Sequence, residues 1–171
     1  MAAAKPFVAI LMGSDSDLPV VEAAVQVLES FDIPHEVKVS SAHRTPAQTH
    51  AYVEQAESRG CAVFIAAAGM AAHLAGTVAA LTTRPVIGIP VDAGPLSGLD
   101  ALLSTVQMPA GIPVATVAIG KAGAKNAGYL AAQIIAVADP ALARRVAEER
   151  RAQADAVVAK DAKLQAARSK R

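Results

Sequence analysis

At 171 residues the chain is about one domain long, and because it is 53% hydrophobic but only 3% aromatic, Ala, Val, Ile and Leu must fill its core. Its charge of +1 combines a basic tail from Ala141 to Arg171, nine Lys/Arg against four Asp/Glu, with a slightly acidic body, and with so few aromatics this excludes a nucleic-acid-binding surface. One cysteine, Cys61, allows no intrachain disulfide, and no apolar run approaches the roughly 20 residues of a membrane span or forms a signal peptide, so a cytoplasmic protein without membrane contact is expected.

Short β-branched runs alternate with helical periodicity along the chain. Phe7–Met12 reads as a strand and Leu18–Phe31 as a helix with Val21, Ala24, Val25 and Leu28 on one face. His35–Val39 is the second strand, followed by a helix over Pro46–Arg59 with Thr45 as its N-cap. Then come strand Ala62–Ala67, helix Ala71–Leu81, strand Val86–Val91, helix Leu99–Gln107, strand Val114–Ile119 and helix Ala122–Ala138. Strict βα alternation implies parallel strands, right-handed crossovers and helices on both faces. The strands read as continuous apolar runs, as strands buried on both faces should. Five of them predict a flavodoxin-like α/β sandwich of three layers, since a barrel would need about eight. After Pro140 a last helix, Ala141 to about Ala167, has a thin stripe of Leu142, Val146, Gln153, Val157 and Leu164. So narrow a stripe predicts docking on a neighbouring surface, with Arg168–Arg171 fraying, inside a single domain spanning residues 1–171.

In an open parallel sheet, ligands bind beyond the carboxyl ends of the strands, near the point where strand order reverses. The polar residues collect there: Gly13 to Asp17, Ser40 to Pro46, and Ala68 to Leu74. Backbone N–H groups ahead of the helix at Leu18, with the Ser14 and Ser16 hydroxyls, suit an anion such as phosphate. The plainer reading is that Ser16 or Asp17 caps that helix. Two aspartates would repel a phosphate, so Asp17 is better placed to accept from sugar hydroxyls. His43-Arg44 is the sharper signal, pairing the usual acid–base of neutral pH with a planar partner for phosphate or carboxylate. His73 lies among small residues in the third loop, where it is either a packed side chain or a second functional group. His35 and His50 read as structural. The Gly120–Gly128 run matches neither a P-loop nor a dinucleotide fingerprint and suggests close helix packing. No cluster of Cys and His has metal-ligand spacing, and Cys61 opens a buried strand, a poor place for a nucleophile.

Together the loop motifs resemble the class I N5-carboxyaminoimidazole ribonucleotide mutases. The matching segments are Met12-Gly13-Ser14-Asp15-Ser16-Asp17, Ser41-Ala42-His43-Arg44-Thr45-Pro46 and Ala68 to Leu74, with Gln107 to Val114 and Gly120 to Asn126 further on. Two positions depart from the family pattern: Met70 stands where glycine is usual, and Ala75 where proline is usual. The resemblance implies that a carboxylate moves from the exocyclic nitrogen of the substrate to ring carbon four, by decarboxylation, trapping of CO2 and recarboxylation, with no metal, biotin or ATP. It implies His43 and His73 as catalytic residues. It further implies Ser14, Ser16, Asp17, Ser41, Ala42, Arg44, Gly69 and Leu74 as contacts to a small ribonucleotide. A homo-octamer and no cofactor are implied as well. An imidazole can both give and take a proton near neutral pH, as such a sequence of steps requires.

Three alternatives stand beside this one. An aminoimidazole ribonucleotide carboxylase would use the same fold with free CO2, and a pyridinium-nucleotide carboxylase would carry additional N-terminal sequence. A non-catalytic flavodoxin-like module would need aromatics for a flavin or an acidic cluster for phosphotransfer. The three Phe and two Tyr lie outside the pocket loops, and the third strand ends in Ala66-Ala67-Ala68.

Overall fold

A computed structural model describes residues 6–169. The strands are β1 (Phe7–Met12), β2 (His35–Val39), β3 (Cys61–Gly69), β4 (Val86–Val91) and β5 (Ala115–Thr116). The helices are α1 (Leu18–Ser30), α2 (Pro46–Ser58), α3 (Leu74–Ala79), α4 (Leu99–Val106), α5 (Gly120–Ala136) and α6 (Pro140–Arg168), and a single 3-10 turn, Asp15–Asp17, precedes α1. The strands pair in parallel in the order β2-β1-β3-β4-β5. This is the flavodoxin-like α/β arrangement that the βα alternation predicts. Its order reverses between β1 and β3, which opens a crevice above their carboxyl ends.

Side-chain alternation divides the core into two. Val8, Ile10 and Met12 join Val63, Ile65, Ala67, Ile87, Ile89 and Val91 on the face covered by α1 and α5. Ala9, Leu11, Phe64 and Ala66 face the other way, against Tyr52 and Val53 of α2 and Leu74 and Val78 of α3. Each fully buried Leu, Ile or Phe contributes about 1.5–3 kcal/mol relative to exposure. The residue pairing slips once, with Phe7 opposite Cys61 but Val8 opposite Val63, so Ala62 forms a bulge. Small residues set the layer spacing. A side chain on Gly88 would overlap Thr105 of α4 and Val114, and a Cβ on Gly128 of α5 would lie 2.8 Å from Val27 Cβ of α1. The Gly120–Gly128 run therefore does pack helix on helix, and at Gly128 it does so within the chain.

Several elements depart from the sequence-based expectation. β1 and β4 are buried throughout, but β2 is not: it is the sheet edge, and Val37 and Val39 are exposed. Its Glu36 instead accepts from the Tyr52 hydroxyl at 3.0 Å and pairs with Arg59 of the α2 C-cap. β3 runs two residues further than expected, to Gly69, whereas β5 pairs over only two residues and α3 begins at Leu74 instead of Ala71. In α6, Leu142 is buried in the chain's own core. Gln153 Nε2 donates to the Tyr129 hydroxyl at 2.8 Å, and Arg145 donates to the Phe31 carbonyl at 3.0 Å. The first half of the stripe thus docks on α5 and the end of α1, while Val157 and Leu164 stay exposed. Helical structure persists through Arg168, and Lys170 and Arg171 lie outside the described residues. Among the described residues no helix is long and apolar enough to cross a membrane.

Candidate active site

The loop after β1 is fixed at both ends. Gly13 N donates to Ala67 O of β3 at 3.0 Å, which brings the loop over the crevice. Ser14 then heads a capping box: its hydroxyl accepts from Ser16 N at 3.3 Å, and its own N–H donates to Asp17 Oδ2 at 3.1 Å. The capping expected of Ser16 or Asp17 therefore belongs to Ser14 together with Asp17, around the 3-10 turn, while α1 has no side-chain cap of its own. Ser16 Oγ donates to Ser14 Oγ at 2.8 Å. Asp17 is buried, and burial raises its carboxyl above the usual range; the Ser14 N–H opposes that shift and the neighbouring Asp15 charge adds to it.

The loop after β2 folds back on itself. Ser40 N donates to Met12 O, and its buried hydroxyl shares a hydrogen bond with Thr49 of α2 at 2.7 Å. Thr45 does not cap α2 with its side chain, as the sequence suggested: its hydroxyl accepts from Ser41 N at 3.0 Å and donates to Ser41 O at 3.1 Å. That tight turn puts His43 and Arg44 at its apex, exposed. Arg44 Nη2 donates to Gly13 O at 3.1 Å, and its backbone N–H donates to Ser41 Oγ at 3.1 Å. The guanidinium thereby ties the first loop to the second while keeping donors to spare.

The loop after β3 closes the crevice. A Cβ on Gly69 would lie 2.6 Å from Ala93 Cβ, so only glycine lets this loop lie against the one after β4. Ala72 N donates to Ser104 Oγ of α4 at 3.0 Å, and His73 N donates to Ala71 O at 2.9 Å. These bonds form a turn that brings His73 to the N-cap of α3, with its ring facing the second loop. His73 Nδ1 and His43 Nε2 are 2.8 Å apart, with ring planes at 71°. One proton lies between them, and His43 Nδ1 has no hydrogen-bond partner among the described residues. When His43 is protonated, its Nε2–H must be the donor and His73 Nδ1 the acceptor, which fixes the His73 tautomer.

These three loops enclose an open cavity of about 420 Å³, within the usual range for a small-molecule site. All ten residues expected at the site line it: Ser14, Ser16, Asp17, Ser41, Ala42, His43, Arg44, Gly69, His73 and Leu74. Met70 lines it too, as its position in the third motif implies. Ala93, from the loop after β4, is the lining residue that sequence reasoning missed; it too lies just beyond the carboxyl end of a strand. A second hollow of about 350 Å³ shares Gly13, Ser14, Ser41 and Arg44 with the first, so the guanidinium stands on their common wall. A larger hollow lies beside the N-terminal end of β4, but Arg84 and Thr82 there are already engaged with Glu57. Cys61 is buried, and burial pushes its thiol up to about 11, which leaves it unsuited to nucleophilic work. His35 Nδ1 donates to Ile33 O at 3.0 Å, and His50 lies exposed on α2, 3.7 Å from Glu54. Both are away from the cavity. Among the described residues no group of three His, Cys, Asp or Glu is arranged to hold a metal ion.

Residues 7–156 match the family model described as AIR carboxylase. An N5-carboxyaminoimidazole ribonucleotide mutase of Mycobacterium tuberculosis is 56% identical over 164 residues, covering 96% of this chain and 93% of that protein. A protein of the same description from Bacillus subtilis is 55% identical over 146 residues, covering 85% and 90%. The crystal structure of Treponema denticola PurE superposes with a TM-score of 0.86 at 30% identity, covering 94% of this chain and 99% of that one.

Proposed function

The chain belongs to the AIR carboxylase family, and we infer that it catalyses the conversion of N5-carboxyaminoimidazole ribonucleotide to 4-carboxyaminoimidazole ribonucleotide, an isomerisation in purine biosynthesis. The observation that carries this reading is the hydrogen-bonded His43–His73 pair in a cavity that also presents Arg44, Asp17 and the hydroxyls of Ser14, Ser16 and Ser41.

The reaction is a net migration of one carboxyl group. The bond between the exocyclic nitrogen and the carboxylate breaks, the electron pair stays on nitrogen, and CO2 leaves. Protonated His43 supplies the proton that nitrogen then needs. The electron-rich ring attacks CO2 through carbon four, a carbon–carbon bond forms, and the proton displaced from that carbon returns to His43. One proton goes out and one comes back, so nothing is oxidised or reduced and the enzyme ends as it began. His73 accepts from His43 Nε2 and so orients the ring that carries the proton. Arg44, with the Ser14, Ser16 and Ser41 hydroxyls, binds the phosphate, for which a planar guanidinium is well matched. Asp17 accepts from ribose hydroxyls. Ala42, Gly69 and Leu74 offer small or apolar surface to the ring and to CO2, which must be held until it reacts.

The stripe formed by Leu99, Leu103 and Val106 on α4, and the Val157, Val158 and Leu164 side chains of α6, are exposed in the single chain. They are suited to subunit contacts, and a homo-octamer in the cytoplasm is the assembly we assign. A carboxylase that takes CO2 directly is the second reading, and the mutase relatives weigh against it.

Replacement of His43 tests this reading. His43→Asn keeps a neutral polar group near the position of the imidazole Nδ1 but cannot cycle a proton. The variant should bind the ribonucleotide within a few-fold of wild type while turnover falls about 10²–10⁴-fold, the usual contribution of a positioned acid–base. Turnover close to wild type would remove His43 from the mechanism.

A further inference from the structure

His73 sits on a turn that its local sequence does not favour. Ala71 and Ala72 are strong helix formers, yet α3 starts only at Leu74 and is six residues long. A bond from another element closes the turn. Ala72 N, in a residue only 2% exposed, donates to Ser104 Oγ of α4 at 3.0 Å. A buried backbone N–H needs a partner, and among the described residues Ser104 is the one this N–H has.

Ser104 is fixed in a way that suits an acceptor. Its hydroxyl hydrogen is committed to its own helix, donating to Asp100 O at 2.8 Å with Ala101 O at 3.3 Å, which leaves an oxygen lone pair for Ala72. α4 is itself anchored at the next residue: Thr105 is buried, and its Cγ2 lies 2.4 Å from where a Cβ on Gly88 of β4 would be. Four residues past Ser104, Met108 Sδ lies 3.2 Å from where a Cβ on Gly76 of α3 would be. α4 and the residues just after it therefore hold the chain on both sides of His73, at Ala72 and at Gly76. Ser104 does not line the cavity, so its influence on the site runs through His73.

We propose that Ser104 is a positioning residue, which acts on proton transfer by holding the turn that keeps His73 Nδ1 against His43 Nε2. The proposal rests on the mutase reading, in which His43 gives and takes back the proton while His73 orients its ring. The two rings meet at 2.8 Å, and such a bond weakens steeply once its distance and angle depart from the optimum. Without the Ser104 hydroxyl, the Ala72 N–H has no acceptor. The turn then opens to bring that N–H to water, and the His73 ring moves off His43. A displacement of about 1 Å is enough to slow turnover by as much as about 10²-fold. The phosphate and ribose contacts come from the loops after β1 and β2, to which Ser104 makes no hydrogen bond, so substrate binding is kept.

The test combines steady-state turnover with a nuclear magnetic resonance spectrum of the histidines. Ser104→Ala should keep KM for N5-carboxyaminoimidazole ribonucleotide within a few-fold and lower kcat about 10- to 100-fold. In a His73→Ala background, where α3 loses no side-chain cap, the same substitution should lower kcat by less than about twofold more, because both changes remove one interaction. Ser104→Thr, whose hydroxyl can also donate to a carbonyl one turn back in the helix, should restore most of the turnover. Ser104→Cys carries the comparison if the alanine variant precipitates, since a thiol is a weak acceptor. With ¹⁵N-labelled histidine near neutral pH, wild type should show His73 protonated at Nε2 and bare at Nδ1, and Ser104→Ala a mixture of the two tautomers. Equal proportional losses of kcat in both backgrounds, a threonine variant as slow as the alanine one, or an unchanged His73 spectrum would overturn the proposal. A wild-type protein inactive on this substrate would overturn the mutase reading instead, and the spectrum, which needs no substrate, would still decide whether Ser104 sets the His73 ring.

Discussion

Asp17 shows how one side chain serves both fold and site. Its Oδ2 accepts the Ser14 N–H, so part of its role is the capping that the sequence already suggested. Yet burial raises its carboxyl above the ordinary value of 3.8, and a charged group kept under that pressure is costly unless a ligand uses it. The sign of the pH dependence follows. The fold favours the neutral form, so the stability contributed by Asp17 is full below its ordinary value and is lost as pH rises through the raised one. Asp17→Asn keeps an acceptor for Ser14 without the charge. Its melting temperature at pH 7 should equal or exceed that of wild type, and its affinity for the ribonucleotide should fall about tenfold or more, the worth of a hydrogen bond to a charged group. A variant that melts lower with affinity intact would make Asp17 a cap only. The His43-Arg44 dipeptide was legible because no core role explains it. The 2.8 Å contact between His43 and His73 was not, since it depends on two loops 30 residues apart meeting in space.

At the level of elements, what the sequence revealed depended on how far periodicity governs structure. The buried strands β1 and β4 carry unbroken apolar runs and match their expected bounds, as do the long amphipathic helices to within two residues. α3 was expected three residues too early. Ala71, Ala72 and His73 are compositionally helical, but Ser104 takes the Ala72 N–H and bends them into the turn that presents His73. β5 was expected at Val114–Ile119, an apolar run whose ladder at the sheet edge spans only Ala115 and Thr116. The small residues of α5 were read correctly as packing residues, though sequence could not identify their partner. That partner is α1, and it yields a prediction. Alanine at position 128 would gain about 1 kcal/mol of helix propensity. Its Cβ would also meet Val27 Cβ at 2.8 Å and Ala24 O at 3.0 Å, neither of them the far end of a flexible side chain. Overpacking costs about 1–3 kcal/mol and should win. Gly128→Ala is therefore expected to lower unfolding stability by up to about 2 kcal/mol in urea titration, with the m-value unchanged; a stabilised variant would mean that α1 can shift outward.

For the molecule as a whole, topology turns separate motifs into one site. Three loops spread over some 60 residues of sequence meet because β2 and β3 both flank β1, an arrangement that βα alternation makes predictable. The reversal of strand order predicted that the three polar loops share one site, and the family resemblance named ten of the cavity's lining residues within them. Ala93 was left out because none of the matched motifs includes the fourth strand's loop and a lone alanine carries no chemical signal, although Asp92 beside it does. The left-handed backbone of Met70 does not show in composition, and its one sign in the sequence is that glycine is usual at this position in the family pattern. On the mutase reading the cavity moves a carboxyl group from nitrogen to carbon and does not fix CO2 from solution. The most direct test of that reading compares two substrates at low bicarbonate, without ATP or added metal, by the ultraviolet absorbance of the carbon-carboxylated product. Rapid product formation from N5-carboxyaminoimidazole ribonucleotide, with almost none from the decarboxylated nucleotide, is the predicted result. Product formed only from the decarboxylated nucleotide, and only as CO2 is raised, would contradict it.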